Sequence, residues 1–179
     1  MDAATLHSLI ERIGRVIAAE DRTGDLNPAQ AAALGYLARA NRFSRKPSVV
    51  AEYLGATRGT VSQTLKALDR KGLVTEMPAS GDKRSISYEV TPDGHAALDR
   101  CTSLAKVLSE MDNDAASALE EALRDLLGRM LTARSMRSFG LCRTCRHHAD
   151  NNGQLHCQLL NVPLAPRDAD QICAEHEQA

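Results

Sequence analysis

Residues 48–73, SVVAEYLGATRGTVSQTLKALDRKGL, decide how the rest of the chain is read. Val49, Val50, Tyr53 and Leu54 recur at helical spacing, and Gly55, which tolerates the backbone angles of a helix end, stops the run. A second helix begins almost at once. Thr57 is placed to cap its N-terminus, Val61, Leu65 and Leu68 make its apolar stripe, and Arg70 and Lys71 complement its dipole before Gly72 ends it. The opposite face, with Thr57 at its start, carries Arg58, Thr60, Ser62, Gln63 and Lys66. Short hydrogen-bonding groups and cations on one helix face suit base edges and phosphates in a major groove, which makes the stretch a helix-turn-helix. Taken by themselves, the same residues also fit a plain helical hairpin with a solvated polar face.

After Gly72 the period changes. Residues 73–78, LVTEMP, have the composition of a strand, residues 79–82, ASGD, that of a turn, and residues 85–90, SISYEV, alternate with period two. Two strands joined by a turn and tipped by Lys83 and Arg84 form a hairpin wing. Beside a recognition helix, such a wing reaches the phosphate backbone or the minor groove, where a slender Arg fits and an acidic tip would be repelled.

With both parts in place, the chain resembles the MarR family of winged-helix transcriptional regulators. The matching residues are Leu26-Asn27-Pro28-Ala29-Gln30, Leu54-Gly55, Thr60-Val61-Ser62, Lys71-Gly72-Leu73-Val74, Asp82-Lys83-Arg84 and Thr91-Pro92-Asp93-Gly94, in the family's order and across most of residues 1–138. The resemblance implies a homodimer that binds a pseudo-palindromic operator in duplex DNA and is released or tuned by a small-molecule, metal or redox effector.

The chain has 179 residues, 43% of them hydrophobic, enough for one sizeable core and a small appendage. Phe and Tyr total five and Trp is absent, so the core is built mainly from Leu, Ala, Val and Ile. No apolar run approaches the roughly 18 residues of a membrane span, and the N-terminus lacks a basic region followed by an apolar one. A cytoplasmic protein without anchor or signal peptide is expected. Net charge is only −1, which hides a polarised distribution. Residues 42–84 hold nine Lys and Arg against four acids, whereas residues 85–132 hold four against nine. The basic excess therefore sits on the helix-turn-helix and wing.

Leu6, Leu9, Ile10, Ile13, Val16 and Ile17 form one stripe of an amphipathic N-terminal helix. Gly24 and Asp25 break it, and Asn27 with Pro28 opens the next, which runs to about Ala40. Arg42, Arg45 and Lys46 follow in a loop just ahead of the motif, where they are either solvated or in contact with phosphate. From Thr91 to about Glu110, and again from Asp112 to about Arg137, the chain is helical. The second stretch carries Ala116, Leu119, Leu123, Leu126, Leu127, Met130 and Leu131. These helices are too apolar to stand alone, and the resemblance pairs them with the N-terminal helix and with a second subunit. Cys101 reads as a small buried hydrophobe.

The tail departs from the family. Cys142, Cys145, Cys157 and Cys173 have the spacing C-x2-C-x11-C-x15-C, with His147, His148, His156 and His176 close by. In a reducing compartment such clustering points to metal more than to structural disulfides, and a C-x2-C pair suits a metal knuckle. The tail's few apolar residues would not build much of a core, so a metal would hold it together. The four thiolates suit a zinc ion, with His148 or His176 able to replace one of them. One close pair plus two lone cysteines also suits a cubane iron–sulfur cluster, and the tail is similar in spacing to high-potential iron–sulfur proteins without their aromatic cover. A disulfide switch or a disordered tail is the remaining reading.

The chain thus reads as mainly α (α+β), with a winged helix-turn-helix and dimerisation helices in residues 1–138 and a small Cys/His-rich metal-binding tail in residues 139–179. DNA contact is assigned to Arg45, Lys46, Thr57, Arg58, Thr60, Ser62, Gln63, Lys66, Lys83 and Arg84. No Gly-rich phosphate loop, HExxH or nucleophile elbow is present, so no catalytic residue is assigned, and a metalloenzyme built on the tail stays a minor alternative beside a helical adaptor that does not bind DNA.

Overall fold

The computed structural model describes residues 2–20, 26–79, 82–99, 103–151 and 153–178, the side chains at 20, 79, 82–85, 103 and 105 excepted. Helix α1 (Ala3–Glu20) comes first, and α2 (Pro28–Arg39) follows with a complete capping box. Asn27 Oδ1 accepts from the Gln30 amide at 2.9 Å and Gln30 Oε1 from the Asn27 amide at 3.3 Å, while Pro28 sits at the first helical position, where its missing N–H costs nothing.

Helices α3 (Pro47–Leu54) and α4 (Arg58–Arg70) are the two arms of the helix-turn-helix. Gly55 closes α3 with φ of 61°, a left-handed conformation that suits glycine, and the Thr57 side chain accepts from the Thr60 amide at 3.2 Å to start α4. The apolar sides of α2, α3 and α4 meet in one core. Leu34, Tyr36, Leu37, Val50, Val61, Leu65 and Leu68 are buried there, with Val74 and Tyr88 supplied by an antiparallel hairpin. That hairpin is β1 (Val74–Ala79) with β2 (Asp82–Val90), paired from Val74↔Val90 to Pro78↔Ile86, with a register shift between Pro78 and Ala79. The expected winged helix-turn-helix is therefore present.

Thr91 joins the wing to α5 (Pro92–Asp99). Its amide donates to the Leu73 carbonyl, its hydroxyl donates to the Gly72 carbonyl at 2.7 Å, and the same oxygen accepts from the Gly94 amide at 3.1 Å. A Cβ on Gly94 would lie 2.1 Å from the Leu73 carbonyl oxygen, so this close approach of helix to wing admits only glycine. Where the sequence suggests one helix to about residue 110, the structure describes α5 and then α6 (Ser103–Ser109); Cys101 lies outside the described residues. Asp112 caps α7 (Asn113–Ala133), a helix of 21 residues that buries none of them.

The tail is not the loosely attached segment that its composition suggests. Strand β3 (Gly140–Leu141) pairs with β7 (Ile172–Cys173), and β4 (His148–Asn151), β5 (Gln154–Cys157) and β6 (Val162–Pro163) form a three-stranded antiparallel sheet, with the single turn α8 (Pro166–Ala169) between β6 and β7. Phe139 stands edge-on to Tyr53 and Tyr36, with ring centroids 5.1 and 6.2 Å apart, and the two tyrosines lie 4.2 Å from each other. Ile172 packs against the same core. Packing thus crosses the boundary that the motifs draw at residue 138.

Candidate nucleic-acid interface and cysteine pocket

Because Val61, Leu65 and Leu68 are buried, helical geometry turns Thr60, Gln63 and Lys66 outward, and Arg58, the first residue of α4, is exposed with them. Ser62 is half-buried at the edge of that face. Thr57 is exposed but its hydroxyl serves the helix, accepting from the Thr60 amide and meeting the Thr60 hydroxyl at 2.9 Å. Lys46 is half-buried at the start of α3. Lys83 and Arg84 lie on β2, beside the wing turn, and their side chains are outside the described residues.

Two arginines of the loop between α2 and α3 do other work than their sequence position suggests. Arg45 donates from Nε to the Ala40 carbonyl at 2.9 Å and pairs with Glu89 at 3.7 Å, and its side chain is only 15% exposed. Burial lowers its pKa, and the Glu89 carboxylate opposes that shift. Its head group is thus engaged in the fold, which sets it apart from the other residues assigned to DNA. Arg42 donates to the Pro163 carbonyl at 2.7 Å and lies 3.4 Å from the buried Asp168 carboxylate, so it clamps the tail rather than facing solvent freely.

The four tail cysteines are all buried free thiols. Two ladders bring them together. The β3–β7 pair sets Cys173 opposite Gly140, two residues before Cys142, and the β4–β5 pair sets Cys157 opposite His148, three residues after Cys145. Between them the knuckle is closed by the Cys145 amide donating to the Cys142 carbonyl and the His148 amide to the Cys145 carbonyl. Cys142, Cys157 and Cys173 pack with Leu164, and Phe43, Leu155 and Val162 line the same pocket. Burial, with the neighbouring Cys173, Cys157 and Cys145 thiols adding to it, pushes the Cys142 thiol up to about 12. Cys173 is also raised by burial, against hydrogen bonds from the Glu175 amide and from the Asn41 and Ser44 side chains.

Of the two histidines considered as ligands, His148 Nδ1 lies 3.6 Å from Cys142 Sγ. His176 Nε2 instead meets the Thr144 hydroxyl at 2.9 Å, its ring abuts Gly140, and its buried Nδ1 has no hydrogen-bond partner among the described residues. Among the described residues, no set of three or more His, Cys, Asp or Glu side chains is arranged to hold a metal ion. Sequence reasoning missed Asn41, Ser44 and Phe139, since nothing in their local pattern distinguishes a loop or tail residue that packs on a distant segment.

A recognition helix, a positioning helix and a hairpin wing define a winged helix-turn-helix protein. Within that class, residues 24–85 match the MarR family model. Over 90 residues the chain is 31% identical to the HTH-type transcriptional regulator PecS of Dickeya dadantii (strain 3937), an alignment that covers 49% of this chain and 54% of PecS. The chain thus spans about half the length of that curated relative. The apo form of MarR from E. coli superposes with a TM-score of 0.54 at 22% identity, covering 71% of this chain and 98% of that one. The S. aureus MepR–DNA complex gives 0.53 at 21% identity, over 69% and 96%. A MarR transcriptional regulator from Methanosarcina mazei Go1 gives 0.57 at 18% identity, over 73% and 96%. These likenesses establish the winged helix-turn-helix fold of the MarR structures, and the curated relative is itself a transcriptional regulator.

Proposed function

We propose that this protein is a homodimeric transcriptional regulator that binds a pseudo-palindromic operator in cytosolic duplex DNA. The observation that carries the reading is the outward face of α4, where Thr60, Gln63 and Lys66 are exposed on a helix whose other side is core, with Arg58 exposed at its first turn. Side chains of this kind read base edges and neutralise phosphates, and the basic excess of residues 42–84 adds attraction. The MepR–DNA complex, a neighbour in fold, supports DNA as the partner.

The dimer is supported by apolar surface that the single chain leaves uncovered. Leu9, Ile13 and Val16 on α1, Val107 on α6, and Leu123 and Leu127 on α7 are each at least half exposed. Apolar side chains exposed to this extent are costly in water, and a second copy of the same surface would cover them. No described helix is long and apolar enough to cross a membrane.

Gel-shift titration at several salt concentrations tests the proposal. Affinity should fall steeply and linearly on a log–log plot, because each neutralised phosphate releases counterions. Salt-independent binding, or none, would refute it.

A further inference from the structure

A cavity of about 360 Å³ lies between α7 and the tail. One wall is a single face of α7, since Arg124, Leu127, Gly128 and Leu131 stand at i, i+3, i+4 and i+7. The other wall is the tail, with Phe139, Gly140, Thr144, His176 and Gln178. The space exists because the tail is fastened elsewhere. The Phe139 ring stands edge-on to Tyr53 and Tyr36, the Asn41 amide donates to the Ile172 carbonyl at 2.9 Å, and β3 is paired with β7, so the tail is held to the winged helix rather than drawn onto α7. On the α7 side, a Cβ added to Gly128 would meet nothing within 4 Å.

The lining is amphipathic. Leu127, Leu131 and Phe139 supply apolar surface, and among the described residues that line the cavity there is one permanent cation, Arg124, and no carboxylate. Arg124 pairs with Glu120 one turn back on α7, but both side chains are well exposed and a surface pair of this kind contributes little, so the guanidinium is available to an anion better shielded from water. Arg124, Gly128 and Gln178 also line the adjoining groove along α7, which puts them together at the edge that the two spaces share. The histidine is already engaged. The Thr144 hydroxyl donates to the Leu141 carbonyl at 2.9 Å, so in its contact with His176 the Nε2–H donates and the hydroxyl oxygen accepts. His176 is thus held as a wall, and Arg124 is the charged group left to meet a ligand.

We propose that this cavity binds a small carboxylate with an apolar body, its charge on Arg124 and Gln178 and its body against Leu127, Leu131 and Phe139. A guanidinium meets a carboxylate through two parallel hydrogen bonds and so orients it. A few polar groups on an apolar lining, in a volume of this size, are what a small-molecule site presents. Its lining lies wholly outside the matched residues 24–85, and the assignment does not depend on the operator reading.

The test titrates the full-length chain with 2-naphthoate, and with the uncharged 2-naphthamide as its isostere, by calorimetry. The carboxylate should bind saturably at one per chain and the amide at least about tenfold more weakly, since a hydrogen bond to a charged partner is at stake. Arg124→Gln should weaken the carboxylate by a similar factor and leave the amide unchanged. Gly128→Leu, which places its side chain in the open space, should abolish binding of both with circular dichroism and mass by light scattering unaltered. Amide NMR shifts of Gly128 and Gly140 on adding naphthoate locate the site without any substitution. No saturable binding in the millimolar range, as when a second copy of the chain fills the cavity, overturns the site. Equal affinity for carboxylate and amide overturns the ligand class, and shifts confined to other parts of the chain overturn the location.

Discussion

Gln63 and Arg84 separate two kinds of contact. Gln63 is exposed on α4, where a bidentate amide reads a base, so Gln63→Ala should change the preferred operator at one base pair, by about 1–3 kcal/mol. Arg84, on the wing strand, should act on phosphate or a narrow minor groove, and Arg84→Ala should weaken all duplexes alike and reduce the salt slope by about 1. Gel shifts unaltered by both, with the protein folded, would remove these roles. Thr57→Ala should cost about 1 kcal/mol in denaturant unfolding through loss of its cap on α4. Tyr88 offers a pH test. Burial, and then its hydrogen bond to Glu76, raise its pKa from 10.0 to about 12, so its contribution to stability is complete below pH 10 and is lost as pH rises toward 12. Alkaline melting of Tyr88→Phe should show a shallower decline. Caps such as Thr57 and Asn27 are legible in sequence because their partners lie three residues away. Arg42 and Arg45 are not, since their partners Pro163, Asp168 and Glu89 come from distant strands and turns, and proximity to a DNA-binding motif is a poor guide to where a long side chain ends.

Among elements, the helix-turn-helix and wing were legible because each has its own period, stop and cap. The tail was not: its strands β3, β6 and β7 have two residues each, too few for any alternation to register. The sequence shows which cysteines cluster but not that β7 carries Cys173 to the α2–α3 loop. The close approach of α5 to the wing was visible only as part of a motif, and its reason is steric. Gly94→Ala drives a methyl into the Leu73 carbonyl and should destabilise the protein by about 1–3 kcal/mol, whereas Gly128→Ala, with open space around it, should not; thermal melts of the two variants side by side decide this.

At the scale of the whole molecule, the stripes of α1 and α7 were legible and their cover was not, because periodicity reports an apolar face without saying what lies on it. Leu9→Asp combined with Leu123→Asp should give monomers or aggregates that no longer bind DNA at two half-sites, since both residues are about half exposed on the faces assigned to the dimer. Light scattering that finds the unaltered protein monomeric at micromolar concentration would exclude that assembly. The aromatic trio of Tyr36, Tyr53 and Phe139 bears on how such a chain can be shortened. A cut after Ser138 looks harmless on the page, since it follows the last long helix and spares every recognition residue. It would nevertheless remove Phe139 and Ile172, which pack half-buried against the core of the winged helix, and leave the Asn41 amide without its acceptor. A truncated chain should therefore melt at a lower temperature than the full one, so a loss of DNA binding on truncation would report stability as well as regulation.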